Sequence, residues 1–287
     1  LVAAKLGLKV VDADGAGRAV PSLPQLTFSI TEGLSPNPAI VVNQDKNLCI
    51  TVSANILPNV DDHACNAPEQ GLHAKIIDNL MRPIISEPDF AQFGGLALWI
   101  MTPEQMPKAL PIRDTLWKAH ALGASLPDFA GSDDLVAYLK EKLDITARRL
   151  FGPARLTSVE INTEGGFDIG NVDFTDNGNI CTVQYQNQSL LVRLGPAQEV
   201  LCTAPDSIAY FLEPSETGPN EPKVFSNGDL LTEDNKLRED LKGRMFSIIG
   251  IAVDDILWRQ DTVIFTSFRD LLRQMHYSGE PVSIIPR

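Results

Sequence analysis

Two carboxylates and an arginine lie close together near the start of the chain. Asp12, Asp14 and Arg18 follow a short apolar run at residues 8–11. This run predicts a buried strand, and in open α/β sheets ligands bind beyond the carboxyl ends of strands. Two carboxylates there can act as a general base or hold a metal ion, and an arginine can bind an anion. The alternative is a polar turn that an Asp–Arg pair fixes in place.

The segment that carries these side chains resembles the signature of a known family. Residues 10–21 read VVDADGAGRAVP, which closely resembles the V-D-A-D-G-x-G-R-A-x-P signature of the hydantoinase-like S-methyl thiohydantoin desulfurases. The resemblance implies hydrolysis of a hydantoin or S-methyl thiohydantoin ring, with Asp12 or Asp14 activating water or holding a metal. It also implies that Arg18 anchors a substrate carboxylate. Weaker similarity continues at residues 27–30, 97–101, 165–167, 185–187, 202–206 and 258–259.

A pair of amide side chains is the second candidate. Gln186 and Asn187 match the family's F-Q-N, with Tyr185 in place of the phenylalanine. The resemblance implies that these amides bind the N–H and C=O groups of the substrate ring. A hairpin turn that uses asparagine for its backbone preference is an equally good interpretation.

The chain departs from the family pattern in two places. Ser22 and Pro24 stand where the family's P-E-x-Q-M has an acid and an amide. The chain also begins at Leu1, inside what reads as a helix, without the glycine-rich stretch found upstream in the family. We therefore expect an N-terminally incomplete chain. Both departures favour a second hypothesis, a non-catalytic accessory domain of a larger hydantoinase/oxoprolinase-like protein, because fungal relatives carry such fusions.

The histidines and cysteines of the sequence predict no metal site. His63, Cys65 and His73 suit zinc chemically, but their spacing matches no standard zinc pattern. Neither a phosphate-binding loop nor a dinucleotide fingerprint is found, which argues against a self-contained kinase or dehydrogenase. The sequence identifies no cofactor. Four scattered cysteines without a CxxC pair indicate reduced thiols.

Charge and hydropathy restrict the partners. The 24 basic and 37 acidic side chains give a net charge of −13, which argues against nucleic acid and anionic membranes as partners. No apolar run approaches the roughly 20 residues of a membrane span, and no signal peptide is visible, so we expect a cytoplasmic protein. The expected partners are a small cyclic amide and either an upstream region of the same polypeptide or a second copy.

The hydrophobic periodicity changes near residue 150. Before it, strand signals at residues 8–11, 38–42 and 48–52 alternate with helical spacing at 71–82, 112–122 and 133–143. After it come short alternating runs between 156 and 212, a charged segment at 230–241 that predicts a surface helix, and a strand at 246–253. We expect an α/β domain over residues 1–150 and an all-β domain, a sandwich or barrel, over residues 151–287.

Overall fold

Small sheets and separate helices make up the first half of the chain. The computed structural model describes residues 2–43, 45, 47–54, 71–91, 94–164, 167–214 and 223–287. β2 pairs antiparallel with both β3 and β4, and β1 pairs antiparallel with β5. The elements in chain order are α1 (Val2–Leu6), β1 (Ala13–Asp14), β2 (Ala39–Asn43), β3 (Cys49–Val52), α2 (Leu72–Ile85), α3 (Pro88–Ala91), β4 (Gly94–Ala97), α4 (Met106–Ala109), β5 (Ile112–Arg113), α5 (Thr115–Ser125) and α6 (Ser132–Leu143).

The sequence predicted some of these elements and missed others. The β2–β3 hairpin is confirmed, and α2, α5 and α6 lie close to their predicted positions. The strand predicted at residues 8–11 is wrong, because Leu8 and Val10 are 62% and 64% exposed and no strand forms there. Since the small sheets pair antiparallel, they lack the parallel βαβ units that define an α/β domain.

An antiparallel sheet of eight strands forms most of the second half. Its order is β10-β9-β8-β7-β6-β13-β11-β12, so β10 and β12 are its edges and the sheet is not closed into a barrel. The strand signal beyond residue 150 is confirmed, although β6 begins slightly earlier. The strands are β6 (Ala147–Glu164), β7 (Phe167–Asp176), β8 (Asn179–Gln186), β9 (Gln188–Leu194), β10 (Glu199–Thr203), β11 (Ser207–Leu212), β12 (Val224–Phe225) and β13 (Met245–Ile251).

Neighbouring residues of these strands contribute to different hydrophobic cores. Tyr210 and Ile248 belong to a core built largely from the sheet's own side chains. The next residues along, Phe211 and Ile249, pack with α6 in a separate core. This division follows from the period of two along a strand, which sends successive side chains to opposite faces.

A helix that the sequence analysis missed covers part of this sheet. α7 (Val263–Gln274) begins at Thr262, whose hydroxyl accepts a hydrogen bond from the N–H of Phe265. Its buried side chains include Phe268 and Leu272, which pack in a core with residues of β9. The second half is therefore not all-β. Both signals, the threonine N-cap and the helical spacing of apolar residues, were present in the sequence.

The surface helix predicted at residues 230–241 is also wrong. A short 3-10 turn ends at Leu230, and an isolated bridge then joins Leu231 to Leu237. Asn235 adopts a positive φ of 58°, which a right-handed helix does not allow.

Gly170 of β7 permits a close approach of the neighbouring strand. A Cβ at this position would overlap the carbonyl oxygen of Glu160 in β6 and crowd the hydroxyl of Tyr185. We expect Gly170→Ala to lower the free energy of unfolding by about 1–3 kcal/mol, as overpacking typically does. Urea denaturation measures the change. Gly123→Ala in α5 is the control: its Cβ meets open space, so destabilisation there as well would contradict the steric explanation.

Candidate functional site

Asp12 caps a helix that lies far along the chain. Its Oδ1 accepts a hydrogen bond from the N–H of Leu116 at 2.7 Å, and its Oδ2 accepts one from Trp117 at 3.3 Å. These N–H groups belong to the first turn of α5, whose own N-cap residue supplies no side-chain hydrogen bond. Carboxylates are effective helix caps because they satisfy free N–H groups and oppose the helix dipole.

Asp14 closes the turn that follows it. Its Oδ1 accepts from the N–H of Ala16 and its Oδ2 from the N–H of Gly17, each at 2.8 Å. Gly17 has a positive φ of 68°, a conformation that glycine adopts without strain. The side chain also borders a groove, so its carboxylate combines a local structural role with access from that groove.

Arg18 ties this N-terminal segment to the large sheet. Its Nη1 donates to the carbonyls of Pro205 and Asp206 at 3.0 and 2.7 Å, and its Nη2 donates to the carbonyl of Ser189 at 2.8 Å. Burial lowers the pKa of this guanidinium to about 10. The Asp–Arg pair considered in the sequence analysis does not form: backbone carbonyls are the partners of Arg18.

Asp206 is the residue that the sequence analysis missed. It is completely buried, and its carboxylate accepts hydrogen bonds from the N–H of Val253, the indole of Trp258, the hydroxyl of Ser283 and the N–H of Ile284. Distances run from 2.8 to 3.2 Å. Three segments that resemble the family, at residues 10–21, 202–206 and 258–259, therefore meet at this carboxylate and Arg18.

The larger groove lies between α5, the end of β13 and the C-terminal residues. Its volume is about 640 Å³, and Asp14, Arg18 and Lys118 border it. Asp12 is not among its lining residues. The groove thus brings together Asp14 and Arg18, whereas Asp12 caps α5.

The smaller cleft brings together one of the two candidate amides and two residues that follow the signature segment. Its volume is about 240 Å³. Gln186, only 4% exposed, faces it beside Ser22 and Pro24, the two positions at which the chain departs from the family pattern. No hydrogen bond to the Gln186 amide is found in the described part of the chain. The lining residues are Ser22, Pro24, Gly71, Leu72, Lys75, Asp78, Asn79, Phe167, Gln186, Val263, Thr266, Ser267, Asp270, Leu271 and Gln274.

An ion pair occupies one wall of this cleft. Nη2 of Arg82 lies 2.9 and 3.0 Å from the two carboxylate oxygens of Asp78, and the Ser22 hydroxyl donates to Asp78 Oδ2 at 3.0 Å. The guanidinium also lies 3.8 Å from the centre of the Phe167 ring. The cleft therefore offers a fixed carboxylate next to the unpartnered amide of Gln186.

Asn187 shapes the turn between β8 and β9. Its φ is +57°, its Oδ1 accepts from the N–H of Asp168 at 2.8 Å, and its own N–H donates to the Asp168 carbonyl at 2.7 Å. The turn interpretation accounts for every one of these features. Gln186 and Asn187 consequently do different things, although they are adjacent.

The histidine and cysteine cluster cannot be placed as a whole. His63 and Cys65 lie outside the described residues, as do Gly165 and Gly166, whereas His73 is in α2. Among the residues that are described, no group of three or more His, Cys, Asp or Glu side chains is placed to hold a metal ion.

In the same part of the chain, no helix is long and apolar enough to cross a membrane.

Comparison with known proteins identifies the family. The sequence matches the model "S-Me-THD-like, N-terminal domain" over residues 1–53 and the model "S-Me-THD-like, C-terminal domain" over residues 73–264. The chain therefore belongs to the S-methyl thiohydantoin desulfurase-like family, as its signature predicted. These models divide the chain between residues 53 and 73, and the boundary at residue 150 stays a prediction.

A solved structure has the same fold. The X-ray crystal structure of a protein from Chromobacterium violaceum is 40% identical, with a TM-score of 0.81. The match covers 99% of this chain and 69% of that one. No curated protein matches.

Proposed function

We propose that the chain binds a five-membered cyclic amide of the hydantoin or S-methyl thiohydantoin class in the smaller cleft and hydrolyses it. The observation that carries this proposal is the amide of the buried residue Gln186, which has no protein partner and faces a cleft that Ser22 and Pro24 also border. Because no protein group pairs with this amide, its donor and acceptor are free to hydrogen-bond a ligand in the cleft.

The chemistry of the ring suits the Gln186 side chain. A glutamine amide offers an acceptor oxygen and a donor NH₂ side by side, which match an adjacent N–H and C=O of a cyclic amide. The cleft has a volume of about 240 Å³. This space suits a small ring better than a long chain.

The proposed reaction releases a thiol from the S-methylated ring. A water oxygen bonds to the ring carbon that carries the S-methyl group, and the C–S bond breaks. One water proton leaves with the sulfur as methanethiol, the other ends on the ring nitrogen of the former C=N bond, and the product is the corresponding hydantoin. Asp78 is the cleft carboxylate that we propose accepts the water proton first, since Arg82 and Ser22 hold it in place. Positioned bases of this kind contribute about 10²–10⁴-fold to rates.

Gln186→Leu tests the proposal. It removes the amide but keeps an apolar side chain of similar size, so we expect binding of S-methyl thiohydantoin to weaken about tenfold or more, because each lost hydrogen bond costs about 0.5–1.5 kcal/mol. Titration calorimetry measures the affinity, and headspace chromatography of methanethiol measures turnover. Stability should change little, because the amide has no protein partner to lose.

Asp14→Asn is the matched control in the larger groove. It should leave binding and turnover unchanged if the smaller cleft is the site, because the asparagine still accepts one of the two N–H groups. Loss of turnover in Asp14→Asn alone would instead favour Asp12 and Asp14 as the catalytic carboxylates and Arg18 as the substrate anchor.

A second candidate function is the non-catalytic accessory domain. The observation that favours it is that the polar atoms of Asp12, Asp14 and Arg18 bond to backbone groups of the fold. Under this proposal the signature residues stabilise the fold and take no part in catalysis. Neither hydantoin nor S-methyl thiohydantoin would then bind, and Gln186→Leu would behave as wild type in every assay.

A further inference from the structure

The start of α2 faces the smaller cleft without a side-chain cap. The N-cap residue is Gly71, which has no side chain to accept a hydrogen bond from the first turn. Gly71 and Leu72 both line the cleft. Free N–H groups and the helix dipole together make such a helix start attractive to an anion.

The backbone conformation and the neighbouring side chains restrict this N-cap position to glycine. Its φ is +76°, and a Cβ would collide with the side chain of Val263 at the start of α7. A larger N-cap residue that could satisfy the helix start from within the protein is therefore excluded by both conformation and space.

Lys75 adds a positive charge one turn into the same helix. It lines the cleft, and no ion pair or hydrogen bond to its side chain is found among the residues described. Each of the two carboxylates that line the cleft has an arginine partner. Asp78 pairs with Arg82 at 2.9 Å, and Asp270 pairs with Arg273 at 3.3 Å.

We infer that the smaller cleft contains an anion subsite, formed by the start of α2 and Lys75, and that its ligand is a cyclic amide that carries a carboxylate. This inference rests on the proposed function for the ring itself. The unpartnered amide of Gln186 is the independent sign that this cleft takes a ligand. The ring would pair with Gln186, and its carboxylate substituent would meet Lys75 and the first N–H groups of α2.

Two probes separate the anion subsite from the ring site. Hydantoin has the ring alone, and hydantoin-5-acetic acid adds a carboxylate. We expect the wild-type chain to bind the acid more tightly than hydantoin. Lys75→Met should weaken binding of the acid about tenfold and leave hydantoin binding unchanged. Lys75→Arg should retain most of the preference for the acid, and Lys118→Met, in the larger groove, should behave as wild type. Calorimetry at low salt measures these four proteins and Gln186→Leu.

The outcomes distinguish the two proposals. Equal affinity for both probes, with no effect of Lys75→Met, overturns the anion subsite but leaves the ring-binding proposal standing. Binding of the acid that depends on Lys75 but not on Gln186 supports the anion subsite and contradicts the proposed function. If neither probe binds, both proposals are wrong. Because Lys75 is exposed, its variants should fold normally, and a thermal melt checks this.

Discussion

Asp206→Ala is expected to lower the free energy of unfolding by about 3–5 kcal/mol, the typical cost of removing one partner from a buried charged network. The carboxylate is completely inaccessible and accepts four hydrogen bonds from different parts of the chain. Without it, the N–H groups of Val253 and Ile284 and the indole of Trp258 stay buried without acceptors. Each such group costs about 1–3 kcal/mol. Urea denaturation followed by tryptophan fluorescence measures the effect.

Two further variants test the origin of this loss. Asp206→Asn keeps the shape and one acceptor oxygen, so it should be less destabilising than Asp206→Ala. Asp261→Ala, at an exposed ion pair with Arg259, should leave the melting temperature unchanged because exposed pairs contribute little. Equal effects of Asp206→Ala and Asp261→Ala would show that the buried network does not stabilise the fold.

The parts of the fold that the sequence predicted depend on local patterns. The turn at residues 176–179 has Asn177 and Gly178 at positive φ, as a two-residue hairpin loop requires. Alternation of buried side chains marked most strands of the large sheet in the same way. The sheet order was not predictable, because β6 pairs with β13 across almost a hundred residues of chain and no local pattern encodes that partner.

The candidate site also depends on contacts between distant parts of the chain, which local sequence patterns do not predict. The sequence singled out Arg18 for its charge, but three of its carbonyl partners lie 171 to 188 residues away, and any residue type can supply a carbonyl. Gln186 and Asn187 are adjacent and chemically alike, so only the structure separates the cleft residue from the turn residue. The sequence analysis singled out neither Asp78 nor Lys75, because the cleft that they share depends on how α2 packs.

Raising the pH from 8 to 10 is expected to destabilise the fold strongly. Burial raises the pKa of Cys181 from its ordinary value of 9.0 to about 12 and that of Tyr185 from 10.0 to about 12. It also raises the pKa of Cys202 and of Tyr210. Between the ordinary and the raised pKa, the unfolded chain loses protons that the folded chain keeps. Stability is therefore fully present below about pH 9 and falls as the pH rises.

The two cysteines should dominate this loss. Each contributes about 1.4 kcal/mol per pH unit above its ordinary pKa, so together they lower the free energy of unfolding by about 3 kcal/mol at pH 10. Arg18 acts in the opposite sense, because burial lowers its pKa to about 10, but most of that contribution develops above pH 10. Urea denaturation at pH 8, 9 and 10 under reducing conditions measures the slope. The double variant Cys181→Ala/Cys202→Ala should be much less sensitive to pH, whereas Cys49→Ala, at an exposed thiol, should keep the wild-type slope. A double variant as sensitive as wild type would mean that other groups cause the alkaline loss.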